Sequence, residues 1–292
     1  MTSNTPISRA AETSAKSGLR DTWEKAAPGW AKWEREFSAG LSAATDTLID
    51  MAGIRPGMHV LDLACGAGSQ TIYAAKRVGP TGSVVACDIS ATMLTHVRQN
   101  AITSGLQNVE TLECAAEELD ETQPPFDAAI SRLGLMLFPS PSTALKGAQR
   151  VLKPGARFAA LVFTTPDRNP FMAQTMAILL RCAGKSLPKP GQPGIFALGG
   201  YGYLERLMRD SGLAHVETKT VTASLNLFNA SHALEMMQEA FGAYRAVVAD
   251  LSDAEKTKAW NEVYACLKQF ETAGGFAAKF EFVIGVGAKA SK

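Results

Sequence analysis

The stretch Val60-Leu61-Asp62-Leu63-Ala64-Cys65-Gly66-Ala67-Gly68 decides how this 292-residue chain is read. It is an apolar run ending in a Gly-x-Gly turn, which predicts a buried strand passing directly into a helix. Gly66 and Gly68 can adopt positive φ and carry no side chain, so backbone at the turn can approach a ligand, with amides at the helix start as donors. Outward from this stretch, short apolar runs alternate with helical patterns. Strands are expected over residues 59–63, 83–87, 109–113, 127–131 and 157–163, and helices over 70–78, 91–104 and 142–152. That alternation signals βαβ units and a parallel sheet. Ser90 is placed to cap the second of these helices at its start and Gly105 at its end. Arg55-Pro56-Gly57 and Lys153-Pro154-Gly155 read as turns into the first and fifth strands.

Before the core, Trp23, Trp30, Trp33 and Phe37 recur at helical spacings interrupted by Pro28-Gly29. The pattern predicts two short helices or one kinked helix over 21–37, then another helix over 41–51. Residues 1–18 are rich in Ser, Thr and Ala without an apolar period and read as a poorly ordered leader. After the fifth strand an apolar helix over 171–183 runs into the Pro- and Gly-rich loop 187–194. A helix over 201–211, an extended stretch over 215–227 and helices over 231–248 and 253–271 follow, the last opened by a Ser252–Glu255 capping box. Residues 279–286 alternate as a closing strand. On this reading the chain comprises the leader 1–18, an N-terminal helical lid 19–40, a core 41–165 and a remainder 166–292. Helical cap insertions occupy about 166–200 and 229–275 of that remainder.

Composition excludes several classes. With 29 Lys and Arg against 28 Asp and Glu, the net charge of +1 gives no global field to recruit nucleic acid or an anionic membrane. Basic and aromatic residues do not alternate in any one run, which also argues against a nucleic-acid partner. No run approaches the roughly 20 apolar residues that span a bilayer, and the N-terminus lacks a secretory apolar core, so the expected location is the cytoplasm. Cys65, Cys87, Cys114, Cys182 and Cys266 are scattered, without CxxC or zinc-ligand spacing. They read as reduced thiols, and no metal site is expected.

Two acids give the Gly-x-Gly turn a chemistry. Asp88 ends the second strand twenty residues after Gly68, where a carboxylate can accept both hydroxyls of an adenosine ribose. Asp62 lies four residues before Gly66, where it would repel a pyrophosphate but could pair with an ammonium. Thr71 stands where a dinucleotide fingerprint has its third glycine. Together these favour S-adenosylmethionine, whose methionine tail carries an ammonium, over a dinucleotide. The structural alternatives are a turn- or helix-capping carboxylate for Asp62 and a strand-end Asx turn for Asp88. A dinucleotide-dependent oxidoreductase and a donor-binding module without catalysis stay open as functions.

Further stretches join the first: Val85-Ala86-Cys87-Asp88-Ile89-Ser90, Phe126-Asp127-Ala128-Ala129-Ile130-Ser131-Arg132 and Arg150-Val151-Leu152-Lys153-Pro154-Gly155. With these in order, residues from about 50 to 165 resemble the class I methyltransferases, in the branch that includes the ubiquinone and menaquinone C-methyltransferases. The resemblance implies a Rossmann-like α/β fold, a seven-stranded mostly parallel sheet with helical cap insertions and its last strand antiparallel beside the fifth. It implies S-adenosylmethionine as cofactor and methyl transfer to a small organic acceptor at carbon, oxygen or nitrogen. By the same resemblance Asp62, Ala64, Gly66 and Gly68 hold the methionine part and Asp88 the ribose. Ile89 and Met93 pack against the adenine, Ala116 and Glu117 meet its edge, and Ser131 and Arg132 lie beside the methyl donor. Ala115 departs from the family, which often has Asp there, and leaves backbone amides to meet the adenine.

No catalytic residue is assigned. His59, His96 and His215 read as structural, while His232, opening a helix of the cap, is the one histidine to test as a base. Tyr201 and Tyr203 follow Gly199-Gly200 and read as packing. Trp30 or Trp33 is placed to roof the site or to pin its helix to the core. The Asp/Asn-Pro-Pro-aromatic motif of nucleic-acid amino methyltransferases is absent from the sequence.

Overall fold

The computed structural model describes residues 9–120, 125–186 and 192–291. Its centre follows the alternation of the sequence. The chain runs through β1 (His59–Leu63), α3 (Ser69–Val78), β2 (Ser83–Asp88), α4 (Ala91–Thr103), β3 (Val109–Glu113), β4 (Phe126–Arg132), α5 (Pro141–Val151) and β5 (Leu152–Phe163), preceded by α1 (Arg9–Lys32) and α2 (Glu34–Met51). The caps are those the residue types favour. Ser90 Oγ accepts from Met93 N at 3.1 Å, and Gly105, at φ 67°, ends α4 with its successor's amide bonded to Ala101 O. β5 starts earlier than the expected 157, because the Lys153-Pro154-Gly155 turn is absorbed into its irregular beginning. The register against β4 shifts there, and Gly155 has φ 75°.

Past β5 come α6 (Pro170–Cys182), α7 (Tyr203–Asp210), β6 (Leu213–Leu227), α8 (Ala230–Ala240), α9 (Gly242–Val247), α10 (Asp253–Leu267), β7 (Glu271–Thr272) and β8 (Gly275–Lys289). The Ser252–Glu255 capping box opens α10 as expected. The single helix expected over 231–248 is instead two, broken at Phe241 (φ −84°, ψ 82°), where Gly242 packs against Thr22 and Ala26 of α1. Within the Pro-rich loop, residues 187–191 lie outside the described residues, as do residues 1–8 of the leader.

The sheet has the order β3-β2-β1-β4-β5-β8-β6, with β7 paired to β8. β3 through β5 are parallel, and β8 lies antiparallel between β5 and β6. The expected seven strands become eight because β7, too short for a periodic signal, turns back on β8 through Gly275 at φ 120°. The central strands are mostly apolar, with Phe158 to Val162 fully buried, as befits strands covered on both faces. Phe163 at the end of β5 pairs with Phe282, and β8 and β6 continue past it as a ribbon through the pairs Phe280–Ala223 and Ala278–Leu225. The sheet is therefore taller on this side than at β1 to β4.

The N-terminal helices depart most from the sequence pattern. α1 continues through Pro28 and begins at Arg9, inside the stretch that composition marks as a leader, and the break falls at Trp33. Tertiary packing outweighs the local breaker: a Cβ on Gly29 would stand 2.0 Å from the Glu239 carbonyl oxygen, so α1 lies directly on α8. Trp33 Nε1 donates to Glu239 Oε2 at 2.6 Å, and Lys32 pairs with Glu235 and Glu239. At its other end α1 reaches α4 and β3 through Thr92 N donating to Glu24 and through the exposed Arg20–Glu113 pair. α1 thus spans the carboxyl ends of the parallel strands.

Candidate active site

Beneath α1 lies a cavity of about 1540 Å³ at the carboxyl ends of the strands, the usual ligand position in an open α/β sheet. Ala64, Gly66, Gly68, Asp88, Ile89, Met93, Ala116 and Glu117 all line it. Ala64 has φ 55°, Gly66 φ 56° and Gly68 φ 93°, so the turn curls back toward the cavity before α3 starts. A Cβ on Gly66 would meet nothing within 4 Å, whereas one on Gly68 would stand 2.9 Å from Val97. Gly66 therefore leaves open space for a ligand, and Gly68 allows α3 to pack on α4.

Asp88 is almost fully buried. Its Oδ2 accepts from Gly66 N (2.9 Å) and its Oδ1 from Ser90 N (3.0 Å), which fixes the carboxylate and leaves lone pairs toward the cavity. Burial raises its pKa above the ordinary aspartate value, against the backbone donors of Ser90 and Gly66. Glu117 places Oε1 in a buried position with no hydrogen-bond partner.

Two of the ten expected residues stand behind the cavity wall rather than on it. Asp62 is buried and accepts from Thr71 Oγ1 (2.6 Å) and Gln70 Nε2 (3.2 Å), while Gln70 also donates to Cys65 O. It braces the turn against the first turn of α3, and burial pushes its pKa up to about 6. Ser131 is buried with an unpartnered Oγ, and a Cβ on Gly134 would stand 3.1 Å from that oxygen and 2.6 Å from Ala64 Cβ. Ser131 thus sits where the ends of β1 and β4 close on each other.

The rest of the cavity is of a different character. Met172 and Met176 of α6, Phe163 of β5, Leu225 of β6, Phe280 and Phe282 of β8, and Ile195 and Phe196 form a broad apolar arm. Phe163 contacts Phe196, Phe280 and Phe282 ring to ring. The Tyr244 hydroxyl, pushed up by burial, is committed to the Met172 carbonyl at 2.8 Å. None of the four histidines lines the cavity. His59 stacks on Phe126 at the opposite strand ends, and His232 lies edge-on to Trp33. Of the two tyrosines after Gly200, Tyr203 reaches the wall and Tyr201 is fully exposed. Trp30 lines the cavity with its Nε1 buried and unpartnered, whereas Trp33 faces α8.

Sequence reasoning missed Glu34 and gave Arg132 no chemistry. Both line the cavity. Glu34 lies on the same helical face as Phe37 and Leu41, and a carboxylate on so apolar a face was the available signal. Arg132 is buried at the end of β4, where Nη1 donates to Thr45 Oγ1 (2.9 Å) and Nη2 to Ser69 Oγ.

Comparison with known proteins fits this geometry. A model of the ubiE/COQ5 methyltransferase family matches residues 44–234. The chain belongs to that family. Among curated relatives, the ubiquinone/menaquinone biosynthesis C-methyltransferase UbiE of Ectopseudomonas mendocina is 39% identical over 127 residues, 43% of this chain and 49% of the relative. The UbiE of Enterobacter sp. is 34% identical over 188 residues, covering 61% of this chain and 74% of that one. The chain spans about half the length of most of the curated relatives it matches. Among solved structures, the YcgJ protein from Bacillus subtilis superposes with a TM-score of 0.56 at 16% identity, covering 86% of this chain and 100% of that one. The [4+2]-cyclase SpnF gives 0.53 at 17% identity, covering 86% and 81%. This fold is thus shared with a cyclase and does not by itself fix the reaction. No helix among the described residues is long and apolar enough to cross a membrane.

Proposed function

We propose that this protein transfers a methyl group from S-adenosylmethionine to an apolar, ring-bearing acceptor of the phenol or quinol class. The observation that carries the reading is the asymmetry of the cavity. One end is a glycine turn with a fixed carboxylate, and the other is a large pocket of Phe, Met, Leu and Ile side chains. At the first end Asp88 is held by Gly66 N and Ser90 N so that it accepts the ribose hydroxyls, while Ile89 and Met93 offer apolar surface to the adenine. The unpartnered Glu117 oxygen suits the adenine amino group and compensates for Ala115. Asp62 and Ser131 support the turn from behind.

When bound, the donor supplies a methyl that is already electrophilic on its sulfonium. The chain then has to position an acceptor in line and exclude water, which can lower a barrier by several kcal/mol. The absence of histidine from the lining fits a reaction governed by positioning. The relatives' quinone names agree with the apolar arm.

The test is a panel of hydroquinones, phenols and hydrophilic amines incubated with methyl-labelled donor. Label is expected on the apolar ring acceptors, and label on hydrophilic amines alone would overturn the acceptor class. S-adenosylhomocysteine should raise the melting midpoint and NAD should not, since only a ligand of the native state stabilises it.

A further inference from the structure

Two charges of opposite sign on the cavity wall lack the partners their burial calls for. Arg132 is only 8% exposed, yet its two described hydrogen bonds go to the neutral hydroxyls of Thr45 and Ser69. Among the described residues no carboxylate forms an ion pair with it, although an unpaired buried charge is strongly unfavourable. Glu34, half-buried on the first turn of α2, has no hydrogen bond or ion pair to any described residue. Glu34 and Arg132 each shift the other's titration, with Asp62 behind the wall acting on Arg132 ahead of Glu34, and no hydrogen bond or ion pair among the described residues joins Arg132 to either acid. Ser69, which holds Arg132, is the first residue of α3, next to the Gly66–Gly68 turn. Asp62, the acid that the resemblance assigns to the methionine part, stands behind the cavity wall and accepts from Thr71 on one oxygen and from Gln70 on the other.

We infer that Glu34 and Arg132 form the receptor for the zwitterionic amino-acid end of the donor, Glu34 taking the ammonium and Arg132 the carboxylate. The inference rests on the donor reading above. A zwitterion neutralises both groups at once, which a neutral acceptor cannot do. The planar guanidinium has N–H donors left after Thr45 and Ser69 and matches a carboxylate with two parallel bonds. The Trp30 indole N–H, buried without an acceptor and also on the cavity wall, is a further donor for the same carboxylate. Asp62 then acts as a positioning residue for the turn.

The experiment compares two probes by calorimetry: S-adenosylhomocysteine, which has the amino-acid end, and 5′-methylthioadenosine, which lacks it. The native protein is expected to favour the first strongly. Glu34→Gln, nearly the same shape, and Arg132→Met are each expected to reduce that preference at least tenfold while binding of methylthioadenosine stays within about twofold. Should Arg132→Met fail to fold by thermal melting, Glu34→Gln carries the test, because its side chain is half-exposed. An unchanged preference in Glu34→Gln overturns the inference, and a fall in turnover alone would assign Glu34 to the acceptor instead. If the native protein binds neither probe, the donor reading itself fails, a result distinct from loss of preference.

Discussion

Asp62 and Asp88 flank one turn, and their surroundings assign them different work. Each Asp88 oxygen accepts one backbone amide, and the carboxylate remains on the cavity wall. Asp88→Ala is therefore expected to weaken S-adenosylhomocysteine by about 1.5–3 kcal/mol, the worth of charge-assisted hydrogen bonds. Calorimetry showing unchanged affinity would remove Asp88 from the donor site. Asp62 makes a prediction about pH. Its folded pKa of about 6 lies above the ordinary 3.8, so the folded chain keeps a proton that the unfolded chain has released. Stability then falls as pH rises from about 3.8 through about 6, and above that window the buried charge costs roughly 3 kcal/mol. Asp62→Asn should melt at a higher temperature than the native protein at pH 7.5, with the gap narrowing toward pH 5. A constant gap across that range would refute the assignment. The glycines and Asp88 were legible in the sequence because a strand-turn-helix places them by spacing alone. Glu34 was not, because its role arises only when α2 folds against the end of β4, far along the chain.

At the level of elements, α1 contributes Leu19, Thr22, Trp23 and Trp30 to the cavity wall. The helix is held on α8 by the contact of Gly29 with the Glu239 backbone and over α4 by Glu24 and Thr92. Gly29→Ala places a methyl against a carbonyl that belongs to a helix and cannot swing aside, and it should cost about 1–3 kcal/mol of stability as α1 lifts. If α1 is a lid, Trp30→Ala, which removes the indole facing the cavity and leaves the Trp33–Glu239 bond in place, should cut methyl transfer at least tenfold, or about 1.4 kcal/mol of barrier. Full activity in a folded Trp30→Ala protein would return that tryptophan to packing. Deleting residues 1–37 is a blunter test, because it strips the buried Trp33 and Phe37 from the core as well. Elements with a strong local period were readable from sequence: β1, β3, α3, α4 and the α10 capping box. The continuous α1 and the α8/α9 break at Phe241 were not, since each is set by a neighbour distant in sequence, and β7 was not because two residues carry no period.

For the whole molecule, the sheet is built higher on one side, where β6 and β8 outrun β5 and carry Leu225 and Phe280 past its end. The helices between β5 and α7 and between β6 and β8 close over this ribbon, so apart from Phe163 of β5 the apolar arm is made by parts of the chain outside the repeating βαβ core. A cavity of about 1540 Å³ exceeds the roughly 300–1,000 Å³ of a pocket for one small ligand, which leaves room for an acceptor with apolar bulk beyond its reacting ring. Burying a methylene is worth about 0.8 kcal/mol, or roughly fourfold in an equilibrium constant. Along a series of hydroquinones with alkyl chains of increasing length, KM should therefore fall by up to about fourfold per methylene until the arm is filled, with kcat nearly constant because the added groups touch no reacting atom. Replacing Phe280 by Ser should flatten that dependence for long chains and leave the shortest acceptor little affected. A KM independent of chain length in the native protein would show that the arm does not receive the acceptor, and would move the search for the acceptor site to the Tyr203 side of the cavity.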